Sequence, residues 1–466
     1  MFTEGFGITD PAKLVELKKA LEAGHAGPSY GGEAGGQGWQ LIPQSLEGTL
    51  ATATAQSKHV RFYKALPKPP DMLKATVHEF TRMTALGTDL EAFVGEGRLP
   101  TEDASQFVRD YVKVRYLATL RRVTDPMSAV NLIGGTDALG REALNGTLHL
   151  LVQLEKALFY GDEDINGYSW NGIFKEIATK FSDNVFDLKG ETLTTGIGQD
   201  ILATMISQPR YGAPDAFWVA PEAQINMSKA EAQQMFYMQQ AQNGGMATPN
   251  SGMLIKNING PLGPVAVESD IFLRPIVMAL GVEGDAPVAP AIGSVTTPPD
   301  GGSKFYSGDD GDYWYSVRGV SDKGKTAPVN NMVGSPAVET VVSVAEGDKV
   351  TFPITSSSDS TTNPTSFFEV YRSKRNALQT DPRYLIGKIK RTGASVTFND
   401  LNADRAGTSK GIVMEYDPSV CQFRRMMDLM RVPLAKIDLS TRFAIVLFGA
   451  LIIETPSKVG TLINIG

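Results

Sequence analysis

Apolar residues recur at helical spacing most persistently between Asp137 and Tyr160. Leu144, Leu148, Leu151, Leu154 and Leu158 follow one another at three- and four-residue steps, which places them on one face of a 3.6-residue repeat. Arg141, Glu142, Asn145, Gln153 and Lys156 fill the other side. Asp137 can cap the start, and Gly161 stands just past the end, where a left-handed residue costs least. The pattern predicts one helix of about 35 Å at 1.5 Å per residue, long for an ordinary globular domain. Upstream, Asp10-Pro11 followed by Leu14, Leu17 and Leu21 predicts a short helix that Gly24 ends. Gly27 to Gly38 then holds six glycines in twelve residues, the composition of a flexible arm.

Strand character marks Val60–Leu66, Leu73–Met83 and Tyr111–Leu120, with Val112, Val114 and Tyr116 alternating onto one face. Between the last two strands, Ala85 to Phe107 carries Gly87, Gly95, Gly97 and Pro100. So long a connection suits a two-stranded arm with a loop at its tip. Such a hairpin is marginal alone and implies a partner surface. Downstream, helices are expected over Gly172–Phe181, over Asp200–Ser207, and from a capping box at Ser228-Lys229-Ala230-Glu231 to Gln242. Phe217-Trp218-Val219-Ala220 reads as a buried strand. Alternating helices and strands predict a mixed α and β domain.

At Asp285 the texture changes. Pro287, Pro290, Pro298 and Pro299 mark a linker, and short strands follow at Tyr313–Val320, Val338–Val344, Val350–Ile354, Phe367–Arg372, Tyr384–Ile389, Val396–Phe398 and Ile412–Glu415. Ala291–Val295 would be an eighth. Regular short strands with turn signals predict a β-sandwich. The first texture then returns, with a helix expected over Met426–Met430 and a strand buried on both faces over Thr441–Glu454. The sandwich is therefore expected as an insertion.

Composition narrows the function classes. The chain has 466 residues, a net charge of −7 and 42% hydrophobic residues, so it can bury several cores and has no overall basic character for nucleic-acid binding. The charge is uneven. Lys58 to Val123 has twelve Lys/Arg against eight Asp/Glu, which suggests an arm lying on an acidic neighbour, whereas residues 287–416 are neutral. Cys421 is the one cysteine, which excludes intrachain disulfides and fits a reducing cytoplasm. Phe2, Thr3 and Glu4 do not begin a signal peptide, and the apolar run Phe443–Ile453 is too short to span a bilayer.

Candidate chemistry is sparse. His25, His59, His78 and His149 stand at no metal-ligand spacing, and His78-Glu79 lacks the second histidine of a zinc-protease helix. His149 is expected to be a hydrogen-bonded structural residue. Arg424 and Arg425 beside Cys421 would lower its pKa, but no nucleophile context surrounds it. Asp162-Glu163-Asp164-Ile165-Asn166-Gly167 matches the first half of a calcium loop, yet the bidentate carboxylate would fall at Ile173. Asp309, Asp310 and Asp312 make a second acidic turn, expected to be solvated. No catalytic, cofactor-binding or metal residue is nominated, and the pattern favours a structural protein over an enzyme.

Three stretches resemble the major capsid proteins of tailed phages with contractile tails, including the Twort-like group. Phe159-Tyr160-Gly161-Asp162 resembles the end of their spine helix. Tyr313 to Pro328, followed by Phe368-Glu369-Val370-Tyr371-Arg372, resembles their inserted immunoglobulin-like or fibronectin-like domain. Leu434-Ala435-Lys436-Ile437 through Phe443 to Leu451 resembles their late P-domain strand. The resemblance implies an α+β fold of the Hong Kong 97 type. Its parts would be an N-terminal arm over 1–57, an E-loop with flanking P-domain strands over 58–123, and a P-domain with the spine helix over 124–190. An A-domain would follow over 191–286, an immunoglobulin-like insertion over 287–416, and a return to the P- and A-domains over 417–466. It further implies self-assembly into hexamers and pentamers around packaged double-stranded DNA in a virion capsid built in the bacterial cytoplasm. Partners would be other copies of the chain, a portal and a scaffold or decoration protein, with no membrane, cofactor or metal. The helical scaffolding segment of many members has no counterpart here, so a separate scaffold, or none, is expected. The inserted domain is expected to project outward. Two other readings remain open: an encapsulin-like compartment shell, and an adhesion protein that binds through its sandwich.

Overall fold

The computed structural model describes residues 54–87, 93–99, 102–130, 137–242, 254–333, 338–356, 363–436 and 438–466. The expected helix after Asp10 and the glycine tract lie outside these residues. Two compact units divide the chain: residues 1–54 with 126–141, and residues 55–125 with 142–466. In the first, the described residues include the opening turn of a long helix, where the Arg141 N–H donates to the Asp137 carbonyl at 2.9 Å. Everything below concerns the second.

The unit is mixed α+β. Strands β1 (Val77–Ala85), β2 (Gln106–Lys113) and β3 (Arg115–Thr124) lead to helix α1 (Ala138–Tyr160), 23 residues long as the leucine spacing predicts. The face it buries differs from the leucine row. Gly146, Leu150, Leu154 and Leu158 turn inward at four-residue steps, while Leu144 is 67% exposed and Leu148 and Leu151 are half-buried. Gly146 sets the crossing, because a Cβ there would stand 2.6 Å from Ile445 Cδ1. Gly161 likewise serves close approach and not a left-handed turn: its Cβ would meet the Trp170 carbonyl at 2.4 Å.

Helix α2 (Ile173–Lys180) has the expected bounds, with Gly172 at its N-cap. Strand β4 (Val185–Asp187), helix α3 (Thr195–Ile206), strand β5 (Ala216–Val219) and helix α4 (Pro221–Gln242) follow, then β6 (Asn257–Gly260) and β7 (Gly263–Ser269). Helix α3 starts earlier than expected because Thr194 caps it, accepting from the Ile197 N–H at 3.3 Å. Helix α4 also starts earlier, at Pro221, which suits a first turn. Ser228 is therefore no cap. It is buried in mid-helix, donating to the Gln224 carbonyl at 2.8 Å and accepting from the Ile255 N–H at 3.0 Å.

A β-region follows. It runs through β8 (Glu283–Gly284), β9 (Pro290–Ile292), β10 (Gly311–Tyr313), β11 (Tyr315–Val320), β12 (Gly324–Lys325) and β13 (Val329–Asn330). It continues through β14 (Met332–Val333), β15 (Val338–Glu339), β16 (Val342–Val344), β17 (Val350–Ser356), β18 (Phe367–Ser373), β19 (Arg383–Lys390) and β20 (Ser395–Asp400). The order β19-β18-β11-β12-β8 forms one sheet and β20-β17-β9 another. Tyr315, Val317, Phe368 and Val370 of the first share a buried core with Phe352 and Ile354 of the second.

The last strands are β21 (Ser409–Met414), β22 (Cys421–Pro433), β23 (Ser440–Ile453) and β24 (Gly460–Ile465). Strand β21 takes in Ile412–Met414 of the expected Ile412–Glu415 strand but does not pair with the β-region. It lies between β24 and β5 in a six-stranded sheet ordered β4-β24-β21-β5-β7-β6. The chain thus leaves this sheet after β7 and rejoins it at β21. Met426–Met430, expected as a helix, lies within β22, which pairs with β23 from Cys421↔Ile453 to Pro433↔Phe443. A helix-period run of Met and Leu yields there to a 14-residue partner strand, and two register shifts absorb the misfit. Strand β23 is buried over most of its length, with half-buried positions on the face that carries Ala444 and Phe448. Val60–Leu66 is not a strand either: Phe62–Ala65 is one helical turn, and β1 begins at Val77, after the prolines at 67, 69 and 70.

Candidate assembly surface

Strands β1 and β2 pair antiparallel from Val77↔Lys113 to Ala85↔Gln106 and form a two-stranded sheet among the described residues. Only the base of this arm has a core. Phe80 is buried with Ala450 and Ile452 of β23, and Leu73 and Val112 pack beside them. Lys180 of α2 pairs with Asp110, which Arg82 approaches at 3.7 Å. Burial alone would raise the Asp110 carboxyl, but Lys180, the Tyr111 N–H and Arg82 together hold it below the usual range. Towards the tip no described residue covers the apolar groups: Met83 and Phe107, cross-strand partners, are both exposed, Phe93 is 92% exposed and Leu99 93%.

A second apolar surface lies on the sheet β22-β23-β3. Directly paired residues share a face, and the register aligns Leu120 with Ala444 and Val432, Ala118 with Val446 and Met430, and Tyr116 with Phe448 and Met427. Tyr116, Leu120 and Met430 are exposed on it. The basic surplus expected to seek an acidic neighbour is instead largely matched within the subunit. Arg61 pairs with Glu268, Lys113 and Arg115 with Glu163, Arg121 with Glu142, and Arg122 with Asp438. Apolar area, more than charge, is what these surfaces offer.

The chain enters the unit through a neck over residues 55–66. Phe62 is fully buried, its ring 4.7 Å from Phe159 of α1 and 5.3 Å from Trp218 of β5. Glu155 of α1, also fully buried, accepts from the backbone N–H groups of Arg61 at 2.9 Å, Phe62 at 2.7 Å and Tyr63 at 3.0 Å. Arg61 donates to the Ser269 carbonyl at 2.9 Å. The sequence offered a signal for Glu155 that the leucine pattern masked: it stands four residues after Leu151 and three before Leu158, on the apolar side.

The residues weighed for chemistry fall elsewhere. In the acidic turn, Lys175 bridges Asp162 at 3.4 Å and Asp164 at 2.9 Å, and Glu163 takes Lys113 and Arg115. A lysine ammonium thus sits between the carboxylates where a cation would. Chelation with EDTA is accordingly expected to leave the melting temperature unchanged; a fall on chelation, reversed by added calcium, would show that the turn binds metal. Asp309 and Asp310 do not make a merely solvated turn: Asp309 pairs with Arg405 at 2.6 Å and Asp310 with Arg375 at 3.5 Å, while Asp312 accepts from the Ser343 hydroxyl at 2.6 Å. His59 accepts from the Gln56 N–H at 3.0 Å, His78 is half-buried beside Phe80, and His149 is exposed on α1. His25 lies outside the described residues. Cys421 is fully buried, and burial pushes its thiol up to about 12, overriding the expected lowering by Arg424 and Arg425. Arg424 donates instead to Gln422 at 3.1 Å, and Arg425 pairs with Asp428.

No family model matches the sequence. Among curated proteins, the chain is 24% identical over 444 residues to one named as a major capsid protein of Enterococcus phage phiEF24C, spanning 91% of this chain and 90% of that protein. It is 23% identical over 446 residues to the major capsid protein of Staphylococcus phage S25-3, again over 91% of this chain and 90% of that one. Among solved structures, the capsid of the native GTA particle aligns with 92% of this chain and 97% of its own at a TM-score of 0.45 and 8% identity. The holo-SrpI encapsulin of Synechococcus elongatus PCC 7942 aligns with 90% of this chain and 92% of its own at a TM-score of 0.36 and 10% identity. Along 91% of its length, then, this chain is a sequence relative of the major capsid proteins of Enterococcus and Staphylococcus phages.

Proposed function

We propose that this chain is the shell subunit of a phage head and works in the virion capsid, self-assembling into hexamers and pentamers around packaged double-stranded DNA. The arm carries the reading. A two-stranded hairpin with exposed Met83, Phe93, Leu99 and Phe107 has no core of its own beyond Phe80, so its apolar area is built to be covered by another copy. The apolar face of β22-β23-β3 is a second contact surface. Similarity to capsid proteins over 91% of the chain supports the same reading.

The parts follow the Hong Kong 97 plan. Residues 58–123 are the E-loop and its P-domain strands, α1 is the spine helix, and the six-stranded sheet is the A-domain. The β-region is an immunoglobulin-like insertion that ends before Ser409, which the exit after β7 and return at β21 support. A portal and a scaffold or decoration protein complete the partners. Electron microscopy of the purified full chain tests the proposal. Closed shells or ring-shaped capsomers are the expected result; a monodisperse monomer at high concentration and physiological salt would overturn it.

A further inference from the structure

Two buried carboxylates, Glu155 and Asp270, lie within hydrogen-bonding reach of each other where the neck joins the long helix. Glu155 is fully buried and Asp270 is 1% exposed. The Asp270 Oδ1 caps the turn after β7, accepting from the Phe272 N–H at 2.8 Å, while its Oδ2 is buried without a hydrogen-bonding donor among the described residues. Glu155 already uses both oxygens on the three neck N–H groups. Two adjacent ionised carboxylates shielded from water repel and are poorly solvated, so one of them keeps its proton. A proton on Glu155 supplies the donor that Asp270 Oδ2 lacks.

We infer that Glu155 and Asp270 share one proton and form a pH-sensitive latch that ties the neck, residues 61–63, to helix α1. With the proton in place, Glu155 bridges the neck amides and Asp270. When the proton leaves, two negative charges stand side by side in a site lined by Phe62 and Phe159, and the neck loosens. Burial first, then Asp270, push the Glu155 carboxyl up to about 8 against the lowering effect of the neck amides, and burial raises Asp270 as well. The sign follows from linkage: a carboxyl raised on folding stabilises the fold fully below its unfolded value, and that contribution is lost as pH rises through the folded one. The latch is therefore at full strength only below the ordinary carboxylate value, weakens progressively as pH rises from there to about 8, and changes little beyond.

The other charged groups facing the pair do not reproduce this window. These are Arg61 and Tyr63 in the neck, Lys68 just after it and Tyr160 on α1, with Glu268 of β7 beside Arg61 and Arg425 of β22 beside Lys68. Arg61 is held by Glu268 and the Ser269 carbonyl, and Arg425 by Asp428. Tyr63 and Tyr160 are raised by burial, away from neutrality. Burial, and then Arg425, lower Lys68, and Glu155 opposes this, so its titration depends partly on the latch itself.

Hydrogen exchange of the full chain at pH 6 and pH 9, corrected for the intrinsic rate, reads the latch at the Phe62 and Tyr63 amides. Protection there is expected to fall at least tenfold at pH 9, while the amides of β23 stay protected. Glu155→Gln keeps an acceptor for the Arg61 and Phe62 amides and a donor for Asp270 at every pH, so protection at Phe62 should be the same at both. Asp270→Asn removes the second charge and should flatten the response too, which keeps the test valid if the glutamine variant folds poorly. Unchanged wild-type protection at pH 9 would overturn the latch. So would an equal loss in both variants, which would assign the response to Lys68 or to general opening. None of these outcomes depends on shell assembly, so the latch and the capsid reading fail separately.

Discussion

Replacing residues 87–105 with a two-residue turn should abolish closed shells while leaving the subunit folded. Ala85 and Gln106 are register partners, so the shortened arm keeps every strand pair of β1 and β2. It also keeps the anchors at the base, Phe80 against Ala450 and Ile452, and Lys180 on Asp110. What it loses is Phe93, Val94 and Leu99, which are exposed in the subunit and stabilise nothing there. Covering two large side chains and a valine in a neighbour would contribute about 5 kcal/mol per contact, or three to four powers of ten in association. Each subunit in a shell repeats that loss. Negative-stain images and sedimentation would show dispersed capsomers or monomers, and a melting scan would show the parent's transition. Normal shells from the shortened chain would remove the case for the arm as an assembly element. A lowered melting temperature would show that the tip supports its own subunit.

The largest effect on stability should come from Arg372→Met in the β-region. Arg372 and Asp400 are buried partners, with side chains 2% and 5% exposed. Asp400 also accepts from the Tyr315 hydroxyl at 2.8 Å, and the guanidinium lies 5.1 Å from the ring centres of Phe305 and Tyr313. Removing the arginine leaves a buried carboxylate without its cation, at a cost of about 3–5 kcal/mol. Arg372→Met with Asp400→Asn removes both charges and should regain most of that loss, because the methionine fills the stem's volume and the amide can still accept from Tyr315. Calorimetry of the three proteins decides this. If the double variant is no more stable than the single one, the arginine acts by packing between the two rings and not by pairing.

How far the sequence speaks depends on the range of the forces involved. Local signals were read correctly where a pattern is long or a partner is not needed. The 23-residue α1, the bounds of α2, the hairpin around a glycine-bearing tip and the short strands between Tyr313 and Phe398 all follow from periodicity and turn residues. The family resemblance was legible because it runs along most of the chain and not in one motif.

Other features depended on contacts hundreds of residues away, which no local pattern encodes. Met426–Met430 has helical spacing, but β23 supplies a ladder that outweighs it. Val60–Leu66 has strand composition, but Glu155 takes three of its amides and Phe62 fills the gap between Phe159 and Trp218. The leucine row gave the helix but not its buried side, because Gly146 lets α1 approach β23 along a neighbouring row. Ile412–Glu415 looked like one more sandwich strand, since a strand's sequence specifies its alternation and not its partner. The Glu155–Asp270 pair lies furthest from the sequence. Each carboxylate alone reads as a surface charge, and only their burial side by side, 115 positions apart, makes them share a proton.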